Sequence, residues 1–253
     1  MLKVVIIGAN HAGLATARYL LESGRPLEIT MIDKNSSLGY IAGATPLLIG
    51  NKISSYRNFF SFDTEWIAKH VTNFYTDSEV TKVDFGRKRI FAEKSNGKKF
   101  NFKYDKLVLA TGSRQQNLIV ENNELSGIYK LKDLKEALLI NQKLSTRKCR
   151  DVAVIGGGYI GVEMAVALQA RNKNVSLFEV NDHVLNTHYD KEFAQLAQQK
   201  LSENGVQVQV DEEILKFEGY NGKLTGIVTT QGNYSVDMVI LAVGFLPNTQ
   251  LGR

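Results

Sequence analysis

Two short glycine turns carry the clearest chemistry in the chain. Gly156-Gly157-Gly158-Tyr159-Ile160-Gly161 is a complete GxGxxG pattern, and Gly8-Ala9-Asn10-His11-Ala12-Gly13 is a variant with Asn10 in place of the middle glycine. In such a turn the first glycine makes the tight bend and the second lets the backbone approach a pyrophosphate. The third allows close packing of helix on strand. The helix behind the turn offers unpaired N–H groups and partial positive charge to the same anion. An acid ends the next apolar run in each copy, Asp33 in the first and Glu179 in the second, the latter 23 residues after Gly156. A carboxylate there suits the two hydroxyls of an adenosine ribose. It would repel a 2′-phosphate by ~1 to 4 kcal/mol per charge pair near the surface, and no arginine follows in Phe178–Asp182. NADH is therefore expected over NADPH. Asn10 tolerates left-handed backbone and can cap a helix, so the first turn is expected to survive its substitution.

The remaining reactive side chains are few. His11 falls at a helix start, where the dipole disfavours imidazolium and a neutral ring is expected. Such a ring could act catalytically by hydrogen-bonding a bound peroxide; its alternative role is structural, lining the site and capping the helix. His183 and His188 are five residues apart, which places them on different helical faces, and no cysteine joins them; no metal site is expected. Cys149 is the single cysteine, so the chain has no internal disulfide or redox pair.

The elements that must position these residues occur twice. Val4–Gly8 matches Val152–Gly156 at a constant offset of 148 residues. Helical patterns follow on Leu14, Ala17 and Leu21, and on Ile160, Met164 and Ala167. Second strands Leu27–Ile32 and Val175–Phe178 lead to the two acids. The closing runs Tyr104–Gly112 and Val236–Gly244 match as well, at an offset of 132. Between them lie alternating, turn-rich stretches at 80–102 and 214–234, which read as small antiparallel insertions. The expected fold is α/β with two Rossmann-like dinucleotide-binding domains in three layers, antiparallel sheet, parallel sheet and helices. The expected boundaries are 1–115, with 236–253 returning to it, a linker helix at 116–150, and 151–245. Two dinucleotide sites in one chain suggest a flavin domain beside a nicotinamide domain.

Composition narrows the classes. The 253 residues allow about 1.7 domains. Apolar residues form 43% and charged residues 23%, as in ordinary globular proteins. No run approaches the roughly 18 apolar residues of a membrane span, and the apolar start is broken at Gly8 with no cleavage pattern. A cytoplasmic protein is expected, without a membrane partner. The net charge of +5 sits in short clusters such as Arg87-Lys88-Arg89 and Lys98-Lys99 beside turns, with no interleaved aromatic stripe. Nucleic acid is not an expected partner.

The His-Ala-Gly turn, Ala110-Thr111-Gly112-Ser113, the Gly156–Glu163 segment and Leu241–Asn248 together resemble the NADH oxidase, NADH peroxidase and CoA-disulfide reductase group of FAD-dependent pyridine nucleotide oxidoreductases. The likeness runs over essentially the whole chain. It implies that the first copy holds FAD and the second NADH. Asp33 with Lys34 would bind the FAD ribose, Val80 would lie beside its adenine, and Ala110, Thr111 and Gly112 would close over the cofactor. Gly244 takes the matching place in the second copy. Tyr159 would cover the flavin ring and swing aside for nicotinamide, its alternative being a half-exposed aromatic at a helix start. His188 falls where relatives carry an aromatic against the NADH adenine.

The resemblance also marks two departures. Relatives carry a reactive cysteine after the first βαβ unit; aligned on Ile49-Gly50, that position is Gly43. Cys149 is expected to be a partly buried small residue in the linker, unable to substitute. Without a thiolate there is no sulfenic-acid relay. The implied activity is then hydride transfer from NADH to FAD and onward to oxygen, giving hydrogen peroxide, or to another small acceptor. The returning Gly-Asp turn and C-terminal dimerisation domain of relatives, which are homodimers, have no counterpart before Arg253. A truncated, catalytically weak dinucleotide-binding module is the alternative reading.

Overall fold

The structure is a computed structural model that describes residues 1–36, 38–53, 55, 60 and 64–253. The chain divides into two compact units. The first comprises Met1–Ile41, Arg57–Arg114 and Leu246–Arg253, and the second Ala42–Tyr56 and Gln115–Phe245.

In the first unit the strands Leu2–Ile7, Leu27–Ile32, Asn73–Tyr75 and Lys106–Leu109 form one parallel sheet. The order across it is Asn73–Tyr75, Leu27–Ile32, Leu2–Ile7, Lys106–Leu109. Strand interiors are near-continuous apolar runs because both faces are covered. On one face Val4, Ile6, Ile29 and Met31 pack against Leu14 and Ala17 of helix His11–Glu22 and Ile67 of helix Thr64–His70. On the other, Val5, Ile7 and Ile32 pack against Val80, Ile90 and Ala92. Those three belong to an antiparallel sheet of Ser78–Asp84, Arg89–Lys94 and Lys99–Lys103.

The second unit repeats this plan with five parallel strands. Their order is Val206–Gln209, Asn174–Phe178, Asp151–Ile155, Met238–Leu241 and Ile128–Lys130. Helices Leu134–Leu144 and Tyr159–Gln169 supply Ile140, Leu144, Met164 and Leu168 to one core. The antiparallel sheet Ile214–Tyr220, Lys223–Thr229 and Asn233–Ser235 covers the other face through Phe217 and Ile227. Both units therefore have the three-layer α/β architecture expected from the repeat.

The units divide the chain differently from the boundaries read off the sequence. Residues 236–245 stay in the second unit, because Met238–Leu241 pairs in register with Val152–Ile155. Only Leu246–Arg253 joins the first, with Leu251 packed against its antiparallel-side core. The segment 116–150 is not a free linker helix: Ile128–Lys130 pairs with Val239–Leu241, and Leu134, Ala137, Ile140 and Leu144 of the following helix are buried. Ala42–Tyr56 also belongs to the second unit. Ile49 is fully buried in that unit's helix-side core, and Arg171 Nη1 donates to its carbonyl at 3.4 Å. Cys149 is wholly buried in the same core rather than partly exposed.

Candidate functional site

Each glycine turn is built by contacts that leave no room for a side chain. Gly8 and Gly156 have φ of +104° and +106°, the left-handed region that favours glycine. A Cβ on Gly8 would meet the Ala110 carbonyl oxygen at 2.0 Å, and one on Gly156 would meet that of Ala242 at 2.5 Å. A Cβ on Gly13 or Gly161 would lie 1.8 Å from the carbonyl oxygen of Gly8 or Gly156 respectively. These glycines let the helix sit directly on the strand. Gly158 differs: nothing lies within 4 Å of its would-be Cβ. Its lack of a side chain serves no packing need of the protein, and the opening suits the close approach of an anion to the backbone.

The first turn accommodates Asn10 by capping. Asn10 has extended backbone, φ −111° and ψ −159°, rather than the left-handed form its residue type also allows. Its side-chain oxygen accepts from the amide of His11 at 3.0 Å, and its Nδ2 donates to the Tyr40 carbonyl at 3.4 Å. Gly158 is extended too, φ −72° and ψ −176°, so both turns share one backbone path despite the substitution.

The two acids close the turns from behind. Asp33 Oδ2 accepts from the Ala9 amide at 2.6 Å and Oδ1 from that of Asn35 at 2.7 Å. Glu179 Oε2 accepts from the Gly157 amide at 2.6 Å, and Oε1 from the Asn181 amide at 3.0 Å and its Nδ2 at 2.5 Å. Sequence reading assigned both carboxylates to a ligand ribose and missed this bond to the turn itself. The signal was present, since the acid ends the strand paired with the one that leads into the turn.

The residues heading the two helices are equivalent. His11 and Tyr159 are each the first residue of their helix, and both are exposed. Ala12 beside His11 is exposed, whereas Ile160 beside Tyr159 packs against the helix-side core. The Tyr159 ring lies 4.2 Å, centroid to centroid, from His188 and 6.0 Å from Tyr189. A hydrogen bond with Tyr189, followed by desolvation, raises the Tyr159 phenol above its ordinary range. Tyr159 and His188 were expected at different ends of a ligand. The structure gathers them, with Tyr189, into one aromatic group beside the second turn.

Other expected residues take simpler places. Val80 is buried in the first unit's antiparallel-side core and Lys34 is exposed next to Asp33. The Thr111 hydroxyl donates to the Asn248 carbonyl at 2.7 Å, and Asn248 returns a bond to the Thr111 carbonyl at 2.8 Å. This pair ties the end of the first closing strand to the C-terminal segment of the same unit. Gly112 and Gly244 both have positive φ, +64° and +97°, and the Gly244 carbonyl accepts from the Gln116 amide at 2.9 Å. Gly43 is exposed in the short 3-10 turn Ala42–Ala44, with nothing within 4 Å of its would-be Cβ. Among the described residues no group of three or more His, Cys, Asp or Glu side chains is placed to hold a metal, and no helix is long and apolar enough to cross a membrane.

Known proteins share this doubled arrangement. The pyridine nucleotide-disulphide oxidoreductase family matches residues 2–253. The chain belongs to that family. An NADH oxidase of Lactococcus lactis subsp. cremoris is 37% identical over 251 residues, covering 99% of this chain and 56% of the relative. An NADH oxidase of Streptococcus pyogenes serotype M6 is 35% identical over 265 residues, covering 100% of this chain and 58% of the relative. The water-forming NADH oxidase of Lactobacillus brevis, solved bound to NADH, superposes with a TM-score of 0.93 at 25% identity, over 99% of this chain and 55% of that one. An NAD-dependent persulfide reductase from A. fulgidus gives 0.93 at 27% identity, over 99% and 47%. The chain thus spans about half the length of the curated relatives it matches.

Proposed function

We propose that this chain forms the dinucleotide-binding part of an FAD-dependent NADH oxidase, with FAD on the first unit and NADH on the second. The observation that carries the reading is the duplication of turn, acid and helix, down to the same carboxylate-to-turn hydrogen bond in each copy. In the first unit, Gly8, Asn10, His11, Ala12 and Gly13 would hold the FAD pyrophosphate, Asp33 and Lys34 the ribose end, and Val80 and Ala110–Gly112 the rest. In the second, Gly156, Gly158, Ile160 and Gly161 would hold the NADH pyrophosphate. Glu179 would take the adenosine ribose, His188 would stand with Tyr159 in the aromatic group beside the turn, and Gly244 would border the site. Tyr159 heads the helix of that site, and its ring would screen the nicotinamide end from water.

When bound, FAD supplies a two-electron acceptor for NADH hydride and a donor to oxygen or another small acceptor. His11 would hydrogen-bond the acceptor from the head of its helix. Gly43 stands where the resemblance places the relatives' reactive cysteine, so this chain offers no thiolate there to carry peroxide on to water. Hydrogen peroxide is the product this predicts. The test is aerobic NADH oxidation by the FAD-reconstituted protein, with peroxide measured against NADH consumed. Equimolar peroxide is expected. Turnover without peroxide would overturn the product assignment, and NADH binding without FAD uptake would overturn the oxidase reading in favour of a binding module.

A further inference from the structure

The first unit has a polar cavity at the opposite end of its sheet from the glycine turn. Lys3 and Glu28 face each other in register near the N-terminal ends of their parallel strands, and Thr30, in mid-strand, pairs with Asn73 at the start of the next. Together with Arg89, Asn101 and Lys103 of the antiparallel layer, they line a cavity of about 310 Å³. Open α/β sheets bind their dinucleotides at the carboxyl ends of the strands. This cavity is at the other end, so an occupant would not compete for the turn.

Its chemistry is that of an anion site with one hydroxyl-accepting group. Among the lining residues Lys3, Arg89 and Lys103 give three cations against the one carboxylate of Glu28, which lies 3.5 Å from Lys3 Nζ; the Asp105 carboxylate, outside the lining, accepts from the Lys3 amide at 2.7 Å. Arg89 Nη1 donates to Asn101 Oδ1 at 2.9 Å. That bond orients the guanidinium and uses one of its five N–H donors. Asn73 Nδ2 donates to Thr30 Oγ1 at 3.2 Å, which fixes the carboxamide on the wall. The surrounding field is positive as well: residues 80–106 carry nine basic and three acidic side chains, an excess larger than the whole chain's +5. The volume is at the lower end of small-molecule pockets and equals about ten water-sized volumes, too little for a dinucleotide.

We propose that this cavity binds a small phosphate monoester bearing hydroxyl groups. Lys3, Arg89 and Lys103 take the phosphate, for which a planar guanidinium fork is well matched. Glu28 accepts from a ligand hydroxyl, which separates an ester from free phosphate.

The test is calorimetric titration of the intact chain with glycerol 3-phosphate and with inorganic phosphate. Saturable binding of the ester is expected, weakened by about tenfold or more in Lys103→Glu and again in Lys3→Gln. Lys99→Glu, an exposed charge on the same antiparallel sheet whose partner is Glu93 at 3.6 Å, should change it by less than about twofold. Glu28→Gln should weaken the ester and leave inorganic phosphate unweakened. Circular dichroism checks that each variant is folded. No saturable heat at millimolar ester, or equal losses in Lys99→Glu and Lys103→Glu, would overturn the site. Equal effects of Glu28→Gln on both probes would overturn the ester assignment.

Discussion

Glu179 Oε2 accepts the backbone N–H of Gly157 at 2.6 Å, so the acid at the strand end also fastens the glycine turn. Glu179 is 8% exposed, and removing its carboxylate would leave a buried amide without its acceptor. Glu179→Ala is expected to cost about 1 to 3 kcal/mol in urea unfolding. It should also reduce NADH affinity and narrow the preference over NADPH, read by fluorescence titration. Unchanged stability would show that the bond to the turn contributes nothing.

The glycines of the second turn should separate packing from binding. Gly161→Ala puts a methyl 1.8 Å from a carbonyl oxygen, and a destabilisation of at least about 2 kcal/mol is expected. Gly158→Ala meets no atom within 4 Å, so its stability should change by less than about 0.5 kcal/mol. Its NADH affinity should nevertheless fall about tenfold or more, since the methyl would occupy the pyrophosphate's place. Unfolding curves and NADH titrations on both variants check the contrast.

Cys149 should behave as an inert core residue. Burial holds its thiol above the ordinary 9.0, outweighing the lowering effect of Lys173. The native state therefore keeps a proton that the unfolded chain releases as pH rises through the unfolded value. Stability contributed by the neutral thiol is present below that value and lost above it. Disulfide-exchange labelling should proceed no faster than unfolding, and Cys149→Ala should flatten the fall in stability above about pH 9. Rapid labelling of the folded protein would contradict this.

Gly43→Cys would restore a thiol at the position the resemblance assigns to it. The site is exposed and open, so stability should change by less than about 0.5 kcal/mol. A thiolate there would take one oxygen atom from peroxide, leaving a sulfenate and water, and the two electrons of a second NADH would return it to the thiolate with release of a second water. The peroxide recovered per NADH should fall in the variant. An unchanged yield would mean that Gly43 does not stand in for the relatives' cysteine.

The parts of this structure that sequence reveals are those set by local geometry. Gly8, Gly13, Gly156 and Gly161 are legible because each close approach to a carbonyl excludes every other residue type. The strand runs are legible because burial on both faces demands continuous apolar sequence. The place of Ala42–Tyr56 in the second unit is not legible, because it depends on Ile49, Gly50, Ala167 and Arg171 meeting across more than a hundred residues of sequence. A helix of five residues, Thr45–Ile49, carries too little pattern to announce that partner. The meeting of Tyr159 with His188 was hidden for the same reason, since neither residue's local pattern specifies the loop that joins them. The basic cavity needed the register of strands distant in sequence, and charge clusters alone read as solvated turns.

The most direct test of the two-site account is a crossed binding measurement on Asp33→Ala and Glu179→Ala. Bound FAD is read from the visible spectrum after gel filtration, and NADH affinity by titration. The account predicts that Asp33→Ala loses FAD while keeping its NADH affinity, and that Glu179→Ala keeps FAD while losing NADH. Loss of FAD in Glu179→Ala with retention in Asp33→Ala, or no effect of either substitution, would contradict it.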